Sequence, residues 1–583
     1  MYRTAVYFLY REVFDRTPEL SELVSLVRDV DPPEAAVLLC QLNADLRLPR
    51  RDKQTVAKVQ QELAAYFLDD ETIARFKQRF GPIDMADRPV FHPVQVLNVL
   101  RLVLQHSAGS RKPVTDSVAR YRLGSACLMM SDLLINAEET SEVAGGTVDV
   151  KMRALMMQML GAFEVGNTAS IAHLFYRGRI MFNQLLSKKE VVERISKECQ
   201  GFDFERDFSQ VVGVSLSHWL SLLFSLYCYL FHYFGVDSTR HPEFLCIDRK
   251  RFMEQSRIDP REMEILLRSI SLNIDDFRRL LAETRPTDWR SDFVAFRSKP
   301  LIELYSEKCF CADVGFLVEK MHSGVYWAIN DGLSSFERPK LFKAWGILFE
   351  EYVNWFLADR AFKQPLQFWP SPKWQDGTES FDGVFMYDRR LMPMEYKGGF
   401  LKIEARYSGN REVFDADLEL KIGEGCKQLA WKIDALFNMN PARRKTLRDV
   451  RLDNITRIVP VLIVQDHILR GPFINWWINK IFNRLLDRTI LRSDVIVDSV
   501  NVVGIHELET MAESAEAGTF DLFRALQLRC FTDPEMRSEL HNFLLTIPGY
   551  AQARSERIDR TVDDYFTEIN GYLFGAEEGP KAD

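Results

Sequence analysis

The stretch "SFDGVFMYDRRLMPMEYKGG", residues 380–399, contains two short apolar runs separated by a charged turn. Such runs on either side of a turn are typical of a β-hairpin. Asp382, Glu395 and Lys397 interrupt the runs with charge. Because successive side chains point to opposite faces of a strand, Glu395 and Lys397 are expected to project from the same face. The predicted hairpin therefore presents a carboxylate beside an amine.

Pairing of the two runs would bring the Asp382 carboxylate to the same face, so that two carboxylates and a lysine meet at one end of the hairpin. Carboxylates packed together are costly unless something neutralises them, and a divalent cation with oxygen ligands is the usual solution. Phosphodiester hydrolysis requires such a set, because the cation polarises the phosphoryl oxygen while a base or an ammonium group aligns the attacking water. The pattern predicts metal-dependent hydrolysis. The competing interpretation is an ordinary surface salt bridge at a hairpin end.

Asp382, twelve intervening residues and then Glu395-Tyr396-Lys397 resemble the motif of the PD-(D/E)xK, or restriction-endonuclease-like, nuclease superfamily. The order of elements over residues 335–510 is similar as well, although no proline precedes Asp382. The resemblance implies an α/β domain with a mixed central sheet that hydrolyses nucleic acid with Mg²⁺, or with Mn²⁺ as a substitute. It implies that Asp382 and Glu395 hold the metal and that the Tyr396 carbonyl adds a ligand. Lys397 would position or deprotonate water.

The segment around Glu350 resembles the first helix of the superfamily, which implies that this glutamate assists the metal or the water. Glycine at position 346, one turn earlier, is expected to let this flank approach the sheet closely. Glu351 is expected to project nearly opposite. Helical spacing predicts that four aromatic residues form the core face of this helix: Trp345, Phe349, Tyr352 and Phe356.

Residues 425–437 resemble the helix that follows the motif strand, and the resemblance implies that Gln428 or Lys427 contacts water or phosphate. A second Glu-x-Lys sequence, Glu419 to Lys421, competes with the first. It lies in a charge-dense segment typical of a solvated strand or a helix start, whereas apolar residues bracket each polar residue of the first. We therefore favour the first motif.

The chain of 583 residues, 46% apolar and 27% charged, is long enough for several domains. Amphipathic runs such as residues 55–68 and 150–163 predict an all-α region over residues 1–300. This region would sense a trigger, bind a partner protein or clamp nucleic acid. Residues 301–530 are predicted to form the α/β domain, and residues 531–583 a helical extension with a frayed tail. Strand-like runs are FDGVFMY (381–387), LMPMEY (391–396), FLKIEARY (400–407), RIVPVLIV (457–464) and NVVGI (501–505).

The net charge of −8 argues against a polybasic protein that coats nucleic acid without specificity. Nine scattered cysteines do not resemble a disulfide framework, and the amino-terminal residues lack the features of a signal peptide. Reduced thiols and a cytoplasmic location are therefore expected.

Residues 208–236 contain no formally charged side chain, and this length could span a bilayer. Basic residues do not cluster at either flank, and there is a single such segment, so we favour a buried core helix over a membrane helix. Small or mildly polar residues recur along it at helical spacing: Ser217, Ser221, Ser225, Cys228 and His232.

The resemblance implies a Mg²⁺-dependent endonuclease that acts on double-stranded DNA. Nucleases of this size with a large helical region resemble bacterial anti-phage or restriction-type effectors, which implies the same role here. Association into homo-oligomers is compatible with this role. The alternative is a catalytically degenerate nuclease fold that binds nucleic acid or partner proteins as a scaffold.

Overall fold

The structure is a computed structural model. It describes residues 7–47, 53–81, 88–108, 116–134, 165, 171–232, 246–283, 290, 292–305, 307–363, 365–408, 410–448, 450, 452, 454–471, 473–534, 536, 538–550 and 556–574. The predicted helix at 150–163 and the predicted frayed tail at 575–583 lie outside these described residues.

The amino-terminal region is helical, as predicted. Its helices are α1 (Tyr10–Phe14), α2 (Leu20–Arg28), α3 (Pro32–Arg47), α4 (Lys53–Phe67), α5 (Asp70–Phe80), α6 (Pro93–His106), α7 (Asp116–Leu133), α8 (Ile171–Arg179), α9 (Lys189–Glu198), α10 (Phe204–Val212), α11 (Leu216–His232), α12 (Arg249–Gln255), α13 (Pro260–Ile270), α14 (Ile274–Glu283) and α15 (Val294–Ser298). A π-helical turn, Ile180–Leu185, continues α8.

Two short strands in this region depart from the all-α prediction. They are β1 (Cys246–Asp248) and β2 (Ser271–Asn273), and they join β3 (Leu301–Tyr305) and β4 (Lys308–Cys311) in a sheet of order β1-β4-β3-β2. The sheet therefore runs across the boundary expected at residue 300. Three-residue strands are too short to produce a recognisable alternation, and these two form only because β3 and β4 offer them partners.

Beyond β4 the chain alternates helices and strands. The helices are α16 (Val314–Glu319), α17 (Ser323–Gly332), α18 (Arg338–Ala358), α19 (Ile403–Tyr407), α20 (Arg411–Leu418), α21 (Glu424–Phe437), α22 (Ile474–Leu485), α23 (Ile505–Glu516), α24 (Leu522–Thr532), α25 (Leu540–Leu544) and α26 (Glu556–Phe574). The strands are β5 (Gln367–Pro370), β6 (Gly383–Tyr387), β7 (Arg390–Lys397), β8 (Arg457–Ile458), β9 (Val461–Val464), β10 (Ile496–Val497) and β11 (Asn501–Gly504).

These seven strands form one mixed sheet, as predicted. Strands β5, β6 and β7 pair antiparallel, whereas β7 is parallel to β8 and β9. Beyond them, β10 pairs parallel with β8, and β11 pairs parallel with β9. Pro460 separates β8 from β9, because proline has no backbone N–H to contribute to the ladder. In effect β8 and β9 form one interrupted strand beside β7.

Helices cover both faces of this sheet. Met394 and Tyr396 of β7 belong to the core that contains the buried face of α18, whereas Leu391 belongs to the core that contains α21. The predicted aromatic face of α18 is confirmed, since all four of its side chains are buried. The close approach expected at Gly346 does not occur, because a Cβ added there would meet nothing within 4 Å. Gly398 takes that role, where a Cβ would lie 2.8 Å from the Phe349 Cβ.

The strand predicted at residues 400–407 is wrong, because Ile403–Tyr407 is helix α19. The Arg406 guanidinium donates to the Leu401 carbonyl at 3.0 Å and forms an ion pair with Asp466 at 2.5 Å. A helical turn brings Arg406 back toward Leu401, which an extended chain would not. Tertiary contacts therefore override the strand-like composition.

The uncharged segment 208–236 is broken between α10 and α11, and its last four residues lie outside the described part. Gly213 ends α10 with φ of 86°, and the two helices are bent by 65°. Within the described ranges no single helix has the length and apolar character needed to cross a membrane, although this bent pair meets both requirements when its halves are counted together. The serine stripe is satisfied inside the helix, where the hydroxyl of Ser225 donates to the Ser221 carbonyl at 2.6 Å.

Candidate active site

The β6–β7 hairpin sets the predicted carboxylates side by side. Its turn is tight because Asp388 adopts a left-handed conformation with φ of 53°. Gly383 pairs with Met394, and the same register continued by one residue sets Asp382 opposite Glu395. Neighbouring residues across an antiparallel pair project from the same face. The two carboxylates therefore lie at one end of the hairpin, as the sequence predicts.

Asp382 is anchored to the neighbouring strand. Its Oδ2 accepts a hydrogen bond from the Tyr396 N–H at 2.7 Å. Burial raises the pKa of the Asp382 carboxyl, and this hydrogen bond together with the charges of Lys397 and Lys432 opposes the increase. The bond orients the carboxylate over the backbone of Tyr396, whose carbonyl is the predicted third ligand.

Glu395 is almost completely buried, with 1% of its surface exposed. Its Oε1 accepts a hydrogen bond from the Lys432 ammonium group, and its Oε2 lies 3.9 Å from the Lys397 Nζ. Burial, followed by the nearby charge of Asp382, raises the pKa of Glu395 to about 8, although both lysines favour ionisation. The desolvation cost of ionising this buried carboxyl is larger than the favourable interaction of the carboxylate with the two ammonium groups.

Helix α21 supplies two polar side chains to the face of β7 that carries Glu395. The Lys397 Nζ donates to Gln428 Oε1 at 2.7 Å, which agrees with the position predicted for Gln428. Lys432 lies four residues further along and therefore on the same side of the helix. That spacing was the available signal for Lys432, which the sequence analysis missed. Lys427 is directed elsewhere, with its Nζ 2.9 Å from Glu419 and 2.6 Å from Glu424.

Glu350 approaches from α18, which covers the opposite face of the sheet from Glu395. Its Oε1 accepts from the Ser371 hydroxyl at 3.2 Å, and its Oε2 lies 3.1 Å from Arg194 Nη2. Burial raises the pKa of Glu350, the Arg194 guanidinium opposes this, and the Asp382 charge adds to it. Glu350 therefore lies near Asp382 rather than beside Glu395.

Arg194 was not expected from the sequence, because it belongs to α9 of the amino-terminal region. Its Nη1 also donates to Glu351 Oε1 at 2.6 Å. Glu351 therefore does not project away from the surroundings of Glu350, contrary to expectation. The two glutamates share one guanidinium.

Tyr396 links the strand to the helix on the other face. Its hydroxyl donates to Asn354 Oδ1 at 3.1 Å, and Asn354 Nδ2 donates to the Ser371 hydroxyl at 2.8 Å. The Ser371 N–H in turn donates to the Asp382 carbonyl at 3.0 Å. This chain of hydrogen bonds fixes the backbone at Asp382, where the carboxylate must be held in place.

Ammonium groups of the protein already contact this cluster. The carboxyl groups of Asp382 and Glu395 face Lys397 and Lys432. Glu350, Asp382 and Glu395 do not form a closed set of three ligands, since among the described residues the one triad with ligand atoms all within 4.8 Å of one another involves other side chains. Two carboxylate donors suit Mg²⁺, which usually takes one or two carboxylates and keeps several waters. To bind at Glu395, the ion would have to compete with Lys432.

The competing motif at Glu419 to Lys421 lies in a π-helical turn, Glu419–Gly423, between α20 and α21. Leu420 is 59% exposed. A helical turn does not place Glu419 and Lys421 on the same face. Preference for the motif in the β6–β7 hairpin is therefore supported by the secondary structure.

Gly425 on α21 leaves the space in which the Lys397 side chain lies. A Cβ at this position would be 2.4 Å from the Lys397 Cε and 3.0 Å from the Leu462 Cδ2. We expect Gly425→Ala to displace the Lys397 side chain. The net change in the free energy of unfolding should be less than about 1 kcal/mol, because the higher helix propensity of alanine offsets the cost of moving the lysine. A crystal structure of the variant should show the Lys397–Gln428 hydrogen bond broken. Gly346→Ala is the matched control, because it should leave that bond intact.

Comparison with known proteins identifies no relative: no protein-family model, no curated protein and no solved structure matches the chain. The likeness to the PD-(D/E)xK superfamily therefore remains a resemblance in motif and in the order of elements.

Proposed function

We propose that the protein is a Mg²⁺-dependent nuclease that hydrolyses phosphodiester bonds, with DNA as its substrate. One observation carries this proposal: Asp382, Glu395 and Lys397 meet at one end of a hairpin in a mixed sheet, and α21 adds Gln428 to the same point. A buried pair of carboxylates with an adjacent lysine can hold a cation and align a water molecule.

In this proposal Asp382 and Glu395 would hold the ion, with the Tyr396 carbonyl beside them. The bound ion would neutralise charge that develops on the phosphoryl oxygens. Lys397 aligns the attacking water, and Gln428 fixes the direction of its ammonium group. Lys432, which contacts Glu395, would exchange that contact for one with a phosphate oxygen in this proposal.

The exposed side of α21 supports a nucleic-acid substrate. Trp431, between Gln428 and Lys432, is 54% exposed, and the Lys445 Nζ lies 5.5 Å from its ring centroid. An exposed aromatic ring beside a cation is suited to stack on a base while the cation contacts the backbone phosphate. Along α21, Trp431 lies three residues after Gln428 and one before Lys432.

The role that we propose for the amino-terminal region is control of the site in a cytoplasmic anti-phage or restriction-type effector. Arg194 supports this role, because it carries a contact from α9 to Glu350. A partner or trigger that moves α9 would change the partners of that carboxylate.

A second candidate function is a nuclease-like scaffold that binds nucleic acid without cleaving it. The contact between Lys432 and Glu395 favours it, because an ammonium group occupies one oxygen of a proposed metal ligand. This contact gives Glu395 a partner within the protein that does not require a cation.

Incubation of the full chain with supercoiled plasmid, linear DNA and RNA, each with Mg²⁺ or with a chelator, tests the proposal. Nicked or linear products that appear with Mg²⁺ and disappear with the chelator would support the nuclease. Retarded migration of DNA without any product, at every metal concentration, would support the scaffold instead. Cleavage that persists in the chelator would contradict the role given to Asp382 and Glu395.

The affinity for Mg²⁺ is expected to increase with pH. Because the pKa of Glu395 is raised to about 8, this carboxyl carries a proton at neutral pH that metal binding must release. We expect affinity to fall roughly tenfold per pH unit below that pKa and to level above it. Isothermal titration calorimetry in two buffers of different ionisation enthalpy would measure the proton release. An affinity that does not vary between about pH 6 and pH 9 would contradict the assignment.

The raised pKa of Glu395 also predicts how the free energy of unfolding of the metal-free protein changes with pH. The folded state keeps the Glu395 proton at pH values where the unfolded chain, with the ordinary pKa of 4.5, has lost it. The contribution of Glu395 to the free energy of unfolding therefore decreases as pH rises from about 4.5 to about 8. Glu395→Gln is the control, because a neutral amide should remove this contribution and the proton release together.

A further inference from the structure

A second polar cluster lies away from the hairpin, where a helix of the amino-terminal region meets α23. His506 and Glu509 are three residues apart on α23, so they share one face of that helix. His173 on α8 faces them. One ligand atom from each of these three side chains lies within 4.8 Å of the other two.

The imidazole rings in this cluster lack the hydrogen bonds that buried rings normally make. Within the described part of the chain, both ring nitrogens of His173 and the Nδ1 of His506 are buried without a hydrogen-bond partner. The His173 side chain is only 12% exposed, and the two rings meet edge to face with centroids 4.7 Å apart. Leaving a buried polar atom unpaired costs about 1–3 kcal/mol, so several together require an explanation.

A third helical turn brings another carboxylate to the cluster. Glu513 lies four residues beyond Glu509 on α23 and is 6% exposed. Its Oε2 lies 3.6 Å from the His173 Nε2, which exceeds a good hydrogen bond. Its Oε1 makes no hydrogen bond to a described residue and lies 3.5 Å from Arg360 Nη2.

The Glu509 carboxylate is held in a fixed orientation. Arg177, one turn after His173 on α8, donates to its two oxygens at 2.9 and 2.8 Å. The Tyr352 hydroxyl donates to its Oε1 at 2.6 Å. A carboxylate accepts about four bonds in total, so one acceptor position remains on Oε2. Hydrogen bonds of this kind orient the ligands of metal sites.

We propose that His173, His506 and Glu509 form a binding site for a divalent transition-metal ion, with Glu513 as the fourth ligand and Zn²⁺ as the ion that fits best. Two imidazoles and one carboxylate are a ligand set of zinc sites and of other first-row ions, and they are unsuited to Mg²⁺. In a tetrahedral zinc site the ligand atoms lie about 3.3 Å apart, so small rotations of His173, His506 and Glu509 would bring their ligand atoms, now within 4.8 Å of one another, to that spacing. Glu513 would turn toward them from its present position 3.6 Å from the His173 Nε2.

A cavity of about 40 Å³ adjoins His506 and is lined also by Arg177, His322 and Glu507. It has room for a water molecule next to the ring. The ion would join α8 to α23 and so attach the amino-terminal region to the domain that carries the hairpin. This inference does not depend on the proposed nuclease activity.

The test is Co²⁺ and Zn²⁺ binding by the purified full-length chain after removal of bound metal. We expect one equivalent of Co²⁺ to give the visible absorption of a four- or five-coordinate ion, and Zn²⁺ to displace it. His173→Gln and His506→Gln should each weaken binding by more than about 100-fold, the upper range for loss of a residue that only orients a ligand. His218→Gln is the control, since His218 lies outside the cluster, 3.0 Å from Glu262 and with 45% of its side chain exposed. The His218→Gln variant should give the same Co²⁺ absorption spectrum as the unaltered chain.

Two results would overturn the inference. One is the absence of any stoichiometric Co²⁺ spectrum in the unaltered chain, which needs no variant and therefore does not depend on whether variants fold. The other is loss of the spectrum in Glu395→Gln with retention in His506→Gln, because that would place the ion at the hairpin. Retention in Glu395→Gln, with or without DNA cleavage by the unaltered chain, keeps this site separate from the proposed catalytic one.

Discussion

Lys397→Met is expected to lower the rate of Mg²⁺-dependent DNA cleavage by about 10²–10⁴-fold, the usual contribution of a group that transfers a proton or stabilises developing charge. The Lys397 ammonium group lies 3.9 Å from Glu395 and is oriented by Gln428. Methionine has a similar length without charge, so the effect on the free energy of unfolding should be small. Single-turnover plasmid nicking measures the rate, and circular dichroism verifies the fold.

The matched control is Lys427→Met, on the helix that carries Gln428. Lys427 is paired with Glu419 and Glu424, so its loss should leave the cleavage rate unchanged. Equal rates in the Lys397 and Lys427 variants would remove Lys397 from the mechanism. Loss of cleavage in Lys432→Met, with normal cleavage in Lys397→Met, would transfer the catalytic role to the lysine that contacts Glu395.

Asp466→Asn is expected to reduce the free energy of unfolding of the hairpin domain by about 3–5 kcal/mol, the usual effect of leaving one member of a buried ion pair unpaired. Asp466 is 1% exposed, and its Oδ2 is 2.5 Å from Arg406 Nη2. The same oxygen accepts from the Leu401 N–H at 2.8 Å. The bond joins the segment after β7 to the segment after β9. Urea unfolding followed by tryptophan fluorescence measures the change.

A solvent-exposed ion pair is the control for the buried pair of Arg406 and Asp466. Arg75 and Glu71 lie one turn apart on α5, 2.8 Å from each other, with 47% and 76% of their side chains exposed. Glu71→Gln should change the free energy of unfolding by less than about 0.5 kcal/mol. The double variant Arg406→Met with Asp466→Leu should be less destabilised than Asp466→Asn, since it leaves no buried charge unpaired. If Asp466→Asn were as mild as Glu71→Gln, the buried pair would not stabilise the domain.

The local geometry of the hairpin follows from the order of its amino acids alone. Side chains alternate along a strand whatever surrounds it, so the relation between Glu395 and Lys397 follows from their spacing. The aromatic face of α18 was predictable for the same reason, with the period of a helix. The position of Asp382 on the same face of the hairpin as Glu395 and Lys397 required only the short turn between the two apolar runs. The helical character of the amino-terminal region follows from repeated patterns of this kind.

The other charges around these residues come from distant parts of the chain and depend on tertiary contacts. Lys432 lies 37 residues from Glu395, and Arg194 lies 156 residues from Glu350. The segment at 400–407 has a strand-like composition, yet Ile403–Tyr407 is a helix whose Arg406 is paired with Asp466 from a distant part of the chain. The cluster of His173, His506 and Glu509 likewise depends on two helices from opposite parts of the chain. Spacing fixes relations within one element, whereas contacts between elements depend on the packing of the whole core, which no local pattern encodes.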